Sequence, residues 1–261
     1  AVIATINYPK EAKDAAVQMV KSAASQEAFD NWFYDLKDSP RYELMNKLKL
    51  GITDPFNPEL QAREEAFMSG YAEQIPGVGQ LVKGSERAYV QYLNKLRVDL
   101  FNKFIDKFEK DGKTYENSKK LYESTAKYIN NITGRGELGK LQKFAPLFSA
   151  LFFSPRLMAA RINMLNPYYF ATLPTELKKQ YGKDMGTALG LLSTMLTLFA
   201  LYGKTQDDDD EDKITVETDP RSSDFGRVKQ GDTRWDFSGG FQPYIRAVAQ
   251  FTTGERKKTS T

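Results

Sequence analysis

The 261 residues contain no cysteine and no histidine. Without cysteine there is no disulfide, no thiolate zinc site and no sulfur nucleophile. Without histidine, the usual general base near neutral pH and the commonest metal ligand are gone. Ser-His and Cys-His chemistry is therefore excluded, and any catalysis would fall to carboxylates, lysines or tyrosines. A dominant charge is also missing: 37 basic side chains face 34 acidic ones, for a net charge of +3. The distribution says more than the total. Basic residues outnumber acidic ones from Lys83 to Arg156, and residues 207–212 (DDDDED) are purely acidic. A mild basic excess along helices reads as a solvated face, with nucleic-acid contact as the alternative. The opening AVIATINYPKEAKDAA has no charged segment followed by an apolar run, so no signal peptide reads from it. The missing initiator methionine leads us to expect processing or a piece of a longer protein.

What is present reads mainly as helix. Val20, Ala24, Phe29, Trp32, Phe33 and Leu36 recur at three-and-four spacing, predicting one helix from about Lys10 to Lys37 behind Pro9. A shorter helix is expected from Arg41 to Leu50, then a turn-rich link, then a helix from Glu59 to Glu73. The longest periodic run is SERAYVQYLNKLRVDLFNKFIDKFEKDG. Ser85 is its expected N-cap, Asp111-Gly112 its end, and Tyr89, Leu93, Leu96, Leu100, Phe104 and Phe108 its apolar stripe. A helix from Thr114 to Asn130 should return as an antiparallel partner, because the connection is short.

The stretch NNITGRGELG spells G-x-G-x-x-G at Gly134, Gly136 and Gly139. That fingerprint requires a strand before the glycines, a helix after them and an acidic residue about 20 positions on. The residues before it, KLYESTAKYIN, read as helix instead. We therefore expect a helix C-terminus and a tight turn, with Arg135 exposed.

Ser154-Pro155 reads as the cap and first position of a helix RLMAARINMLN that ends at Pro167. Met185–Gly203 then runs nineteen residues without a charge, long enough to span a bilayer, with Gly186 and Gly190 as a G-x-x-x-G pair. Ser, Thr, Tyr and Gly interrupt it, and a buried central helix carries the same signature. The buried helix is our expectation and the bilayer span is the alternative. If Leu192, Leu196 and Phe199 face a core, Thr194 and Thr197 should find hydrogen-bond partners or water. The acidic run is expected to be a solvated loop, since it lacks the spaced Gly and Glu of a calcium loop. The last fifty residues change character. ITVET alternates like a short strand, FGRVKQGDTRWDF like a hairpin turning at Gln230-Gly231-Asp232, and FQPYIRAVAQF like a helix. The fold class is thus mainly α: a multi-helix bundle with a small C-terminal β-hairpin appendage. Divisions are expected at residues 1–52, 53–206 and 207–261.

Several long phrases occur in one order: SERAYVQYLNKLR, INNITGRGELG, FFSPRLMAARINMLNP and DPRSSDFGRVKQGDTRWDFSGGFQPY. Together, from about Thr53 to the end, they resemble a domain of the large polyvalent proteins of tailed bacteriophages. The resemblance implies a non-enzymatic structural or cargo segment of a longer virion protein, carried in the head or tail lumen and delivered to the host with the DNA. It implies no catalytic residue and no cofactor. Its partners would be other virion proteins of the portal, tail or cargo. The alternative is a membrane-active ejection component inserting Met185–Gly203 into the host envelope. The binding candidates are Arg87, Arg97, Arg135, Arg156 and Arg161, whose guanidinium groups would dock DNA phosphates or a partner. Against this stands a set of internal Arg–carboxylate pairs, with Asp219, Arg221, Asp224, Arg227 and Arg234 pinning the terminal hairpin. The aromatics Phe144, Phe148, Phe152, Phe153, Tyr168, Tyr169 and Phe170 read as core rather than as a platform for bases.

Overall fold

The computed structural model describes residues 2–54, 78–139, 155–207 and 211–255. The helix expected at Glu59–Glu73, the acidic residues 208–210, the aromatics Phe144, Phe148, Phe152 and Phe153, and the polar tail beyond residue 255 lie outside them. The chain divides into two compact units, Ala1–Asp184 and Met185–Thr261. The division expected near residue 52 is not drawn there, because elements from both sides of it pack together in the first unit.

In the first unit, α1 (Val2–Asn7) precedes α2 (Pro9–Ala24), and α3 (Gln26–Lys37) and α4 (Tyr42–Lys47) follow. The single helix expected from Lys10 to Lys37 is broken at Ser25. Its backbone is extended and its hydroxyl accepts from the Ala28 N–H at 3.2 Å, which caps α3. The long helix is α5 (Val78–Lys110), and it begins one and more turns before Ser85, which therefore lies inside it. Gly112, in the left-handed region at φ 74°, ends the run as expected. The return helix α6 (Lys119–Ile132) starts later than expected, because Asn117 folds Thr114–Ser118 into a turn of its own.

α2 lies along α5. Small residues at the seam, Ala12, Ala15 and Ser22 on α2, bring the two backbones close. At Gly84 of α5 an added Cβ would sit 3.2 Å from the Ala23 carbonyl. The core between α1, α2, α5 and α6 is aromatic. Phe104 meets Tyr8 edge-on at 6.0 Å and Tyr128 at 6.3 Å, and the chain of rings continues through Phe108 to Tyr122. Two helices, α7 (Pro155–Leu165) and α8 (Pro167–Thr172), complete the unit, together with the first residues of α9 (Thr175–Gly203).

The second unit holds the rest of α9, a three-stranded antiparallel sheet and a last helix. Its strands are β1 (Thr215–Val216), β2 (Val228–Gln230) and β3 (Thr233–Trp235), in the order β1-β2-β3. β2 and β3 form the expected hairpin, with Gly231 at φ 52° in its two-residue turn. β1 adds a third strand, pairing Val216 with Val228. The helix α10 (Gln242–Thr253) is stapled to the loop 219–226 by one row of side chains. Gln242 Nε2 donates to the Ser223 and Phe225 carbonyls, Arg246 Nε to the Pro220 carbonyl, and Gln250 Nε2 to the same oxygen at 2.7 Å. The mainly α fold with a small C-terminal β appendage is thus as expected from the sequence.

Candidate functional site

The link Leu50–Thr53, between α4 and the undescribed segment, is held by side chains from α5, α6 and the glycine turn. Asn130 clamps it from both sides: its Oδ1 accepts from the Gly51 N–H at 2.7 Å, and its Nδ2 donates to the Lys49 carbonyl at 2.9 Å. Two guanidinium groups converge on the Gly51 carbonyl, Arg97 Nη1 at 2.6 Å and Arg135 Nη1 at 2.8 Å. Arg97 Nε also donates to Thr133 Oγ1 at 2.9 Å, and Arg135 Nη1 to Thr53 Oγ1 at 2.9 Å. Asn94 completes the frame with a two-way bond to the backbone of Thr53. A side chain at Gly51 would collide with Arg135, its added Cβ lying 2.6 Å from Cδ.

This corrects the expectation that Arg135 is exposed: it is 7% exposed, and Arg97 1%. The reason is that the glycine turn does not point outward. Gly134, at φ 89°, terminates α6, and Gly136 then packs on the backbone of α7. An added Cβ there would lie 2.2 Å from the Ala160 nitrogen, and the Gly136 N–H donates to the Arg156 carbonyl at 3.0 Å. The glycines serve helix termination and close packing, with α6 rather than a strand before them. Burial, together with the charge of nearby Arg156, pushes the Arg135 guanidinium down to about 9.

The five arginines proposed as binding residues therefore separate. Arg97, Arg135 and Arg156 gather around the Gly51 link. Arg87 caps the C-terminus of α2, donating to the Ser22 and Ala23 carbonyls at 3.1 Å each and to Gln26 Oε1 at 3.2 Å. Arg161 lies half-buried further along α7. Arg87, Arg97 and Arg135 donate hydrogen bonds to carbonyl, amide and hydroxyl oxygens. Arg–carboxylate pairs are seen at other arginines. Arg41 reaches Asp106 at 2.6 Å and Glu109 at 2.7 Å, and in the second unit Asp224 takes both Arg227 and Arg234.

A second polar group, at the root of α9, is also buried. Asp184 is 1% exposed. Its Oδ2 accepts from Tyr8 Oη at 2.7 Å and Tyr128 Oη at 2.6 Å, and its Oδ1 from Gln180 Nε2 at 2.7 Å. Burial and then the Asp184 charge push both tyrosines far up, so they remain donors at any ordinary pH. Three neutral donors thus satisfy one buried carboxylate, which fixes the root of α9. Among the described residues, no group of three or more acidic side chains is gathered to hold a metal ion.

Beyond Asp184, α9 is not the buried central helix expected. None of its most apolar eighteen-residue window is buried, although the helix is long and apolar enough to cross a membrane. Leu189, Leu191, Leu198 and Leu201 are exposed, from 49% at Leu189 to 61% at Leu198. Leu192, Leu196 and Phe199 lie on a half-covered side, where Phe199 stacks on Phe237 at 5.3 Å. The Thr194 and Thr197 hydroxyls donate to carbonyls of their own helix, Gly190 and Ser193, each at 2.8 Å. No protein-family model, no curated protein and no solved structure matches this chain.

Proposed function

We propose that the chain is a non-enzymatic structural and cargo segment of a large tailed-phage virion protein, carried in the head or tail and ejected with the DNA. It acts as part of a longer polypeptide, and its partners are other virion proteins. The observation that carries this reading is the uncovered apolar run Met185–Gly203. Exposed apolar patches of this size mark interaction surfaces. The long phrases that resemble the phage domain are the sequence support for it. Quantitative mass spectrometry of purified phage particles before and after triggered DNA release tests the proposal. Peptides of this chain present in full particles and lost from emptied ones are expected. Peptides retained by the emptied shell would make it a fixed structural part, and their absence from particles would overturn the reading.

A second reading is favoured by a specific feature of the same run: it inserts into the host envelope. Nineteen uncharged helical residues extend about 28 Å, close to the hydrocarbon thickness of a bilayer. The threonine hydroxyls are satisfied within the helix, as lipid requires. On this reading the chain floats with liposomes, and Leu198→Asp abolishes flotation while leaving helical circular dichroism unchanged. Flotation unaffected by that change would contradict insertion through this helix.

A further inference from the structure

The uncharged run Met185–Gly203 has unlike ends. Beyond Gly203, Lys204 is soon followed by the acidic residues 207–212. Before Met185, the first turns of α9 carry Leu177 and Asp184 inward, and their outward face carries Lys178, Lys179 and Lys183. Lys179 and Lys183 are exposed, and the Lys178 ammonium lies 5.9 Å from the centre of the Phe170 ring. The carboxylates on these turns are engaged elsewhere. Asp184 is buried against Tyr8, Tyr128 and Gln180, and Glu176 pairs with Lys113.

Aromatic side chains stand beside these lysines. Phe170 of α8 packs on Tyr181 of α9 at 5.2 Å, and the Tyr181 hydroxyl donates to the Met164 carbonyl of α7. α8 is fixed in turn by Asn166, whose Oδ1 accepts from the Tyr168 N–H at 2.9 Å, and by Pro167 at its first position. Yet Tyr168 is 75% exposed and Phe170 38%. Exposed apolar side chains continue along one face of α7, at Met158, Ile162 and Leu165. A unit that encloses Phe33, Phe101 and Tyr128 thus leaves these side chains in water. Exposed rings beside lysines, at the end of an apolar run of bilayer length, match the chemistry of a membrane interface. Aromatic rings settle at headgroup level there, and lysine stems lie along apolar surface with their ammonium groups in water.

We propose that this collar, Tyr168 and Phe170 with Lys178, Lys179 and Lys183, docks on the anionic headgroups of a phospholipid bilayer. On the reading that Met185–Gly203 enters a bilayer, on which this assignment rests, the collar decides which lipid surface is met and by which end of the run. Charge selects the collar end: anionic headgroups attract its ammonium groups and repel the carboxylates beyond Gly203.

The test floats the whole chain with two kinds of vesicle, pure phosphatidylcholine and an equal mixture of phosphatidylcholine and phosphatidylglycerol. Each lysine near an anionic surface contributes about fivefold. The parent therefore binds the mixed vesicles on the order of a hundredfold more tightly, and added salt shrinks the preference. Lys178→Gln, Lys179→Gln and Lys183→Gln together remove the preference and leave binding to phosphatidylcholine unchanged. Tyr168→Ala weakens binding to both vesicles about fivefold, through the loss of one partly buried ring. Lys10→Gln, Lys13→Gln and Lys21→Gln, on the exposed side of α2, leave the preference intact. Equal binding to both vesicles overturns the collar while insertion stands. So does a preference that survives the three collar substitutions, or that the α2 substitutions remove equally. Leu198→Asp separates the two ideas. If the anionic preference survives it and is lost only with the collar lysines, the collar holds and insertion fails. Binding to neither vesicle overturns both.

Discussion

The two units solve the problem of burial in opposite ways. Ala1–Asp184 encloses its apolar side chains, with Phe33, Leu96, Leu100, Phe101 and Ile105 wholly out of water. It also draws charged groups inside, Arg97, Arg135 and Asp184, and gives each of them hydrogen bonds. Met185–Thr261 leaves apolar groups outside. Leu198 and Val248 are each 61% exposed and Phe251 90%, while the buried positions include Ser238 and Gln242. The first unit is held by a core and the second by a lattice of hydrogen bonds. The comparison teaches that apolar content alone does not make a core; several elements must bring their apolar faces to one place.

The largest effect that sharpens this contrast is expected from Phe104→Ala. It removes the ring on which Tyr8, Phe108 and Tyr128 meet, and should cost about 3–5 kcal/mol. Hydrogen exchange should show the loss in α2, α5 and α6 while β1–β3 keep their protection. Equal loss in both units would break the distinction. Next comes Gln242→Ala, which strips the Ser223 and Phe225 carbonyls of their donor. About 1–3 kcal/mol is expected, read in exchange of the 219–226 loop and α10. An effect below about 0.5 kcal/mol would mean that the hydrogen-bond lattice does not hold the second unit.

Ser25→Ala should cost about 1 kcal/mol through the lost cap of α3, measured by urea unfolding. The smallest effect concerns pH. The hydrogen bond from Lys113 holds the Glu176 carboxyl below its ordinary range. A depressed carboxyl contributes stability that is present above its unfolded value, about 4.3, and is lost as pH falls through the folded value. Stability of the parent should therefore drop on acidification below that point, and Lys113→Ala should flatten the drop slightly, because the pair is partly exposed.

Much of the first unit was legible in the sequence because periodicity reports it directly. The α5 stripe is buried as read from Leu93 through Leu96, Leu100 and Phe104 to Phe108, while Tyr89 at its start is 48% exposed. The break at Ser25 was not legible, since the apolar spacing continues across it and only the serine hydroxyl marks the cap. Arg135 misled because an arginine between two glycines looks solvated, and its destination, the Gly51 carbonyl, lies 84 residues away in sequence. Asp184 gave no signal: its partners Tyr8 and Tyr128 come from α1–α2 and α6, and no spacing rule links them. For Met185–Gly203 the sequence states that the helix needs cover. It does not state whether the chain itself supplies that cover, because a core helix and an uncovered one share the same hydropathy.

The central claim is that Met185–Gly203 faces outward, ready for a partner. The absence of cysteine makes a direct measurement simple: single Leu198→Cys and Leu96→Cys variants, reacted with a thiol reagent in the isolated chain. The account predicts that Leu198→Cys reacts near the rate of a free thiol, while Leu96→Cys, in the core, is strongly protected. Protection of Leu198→Cys equal to that of Leu96→Cys would contradict it and would return this helix to the interior.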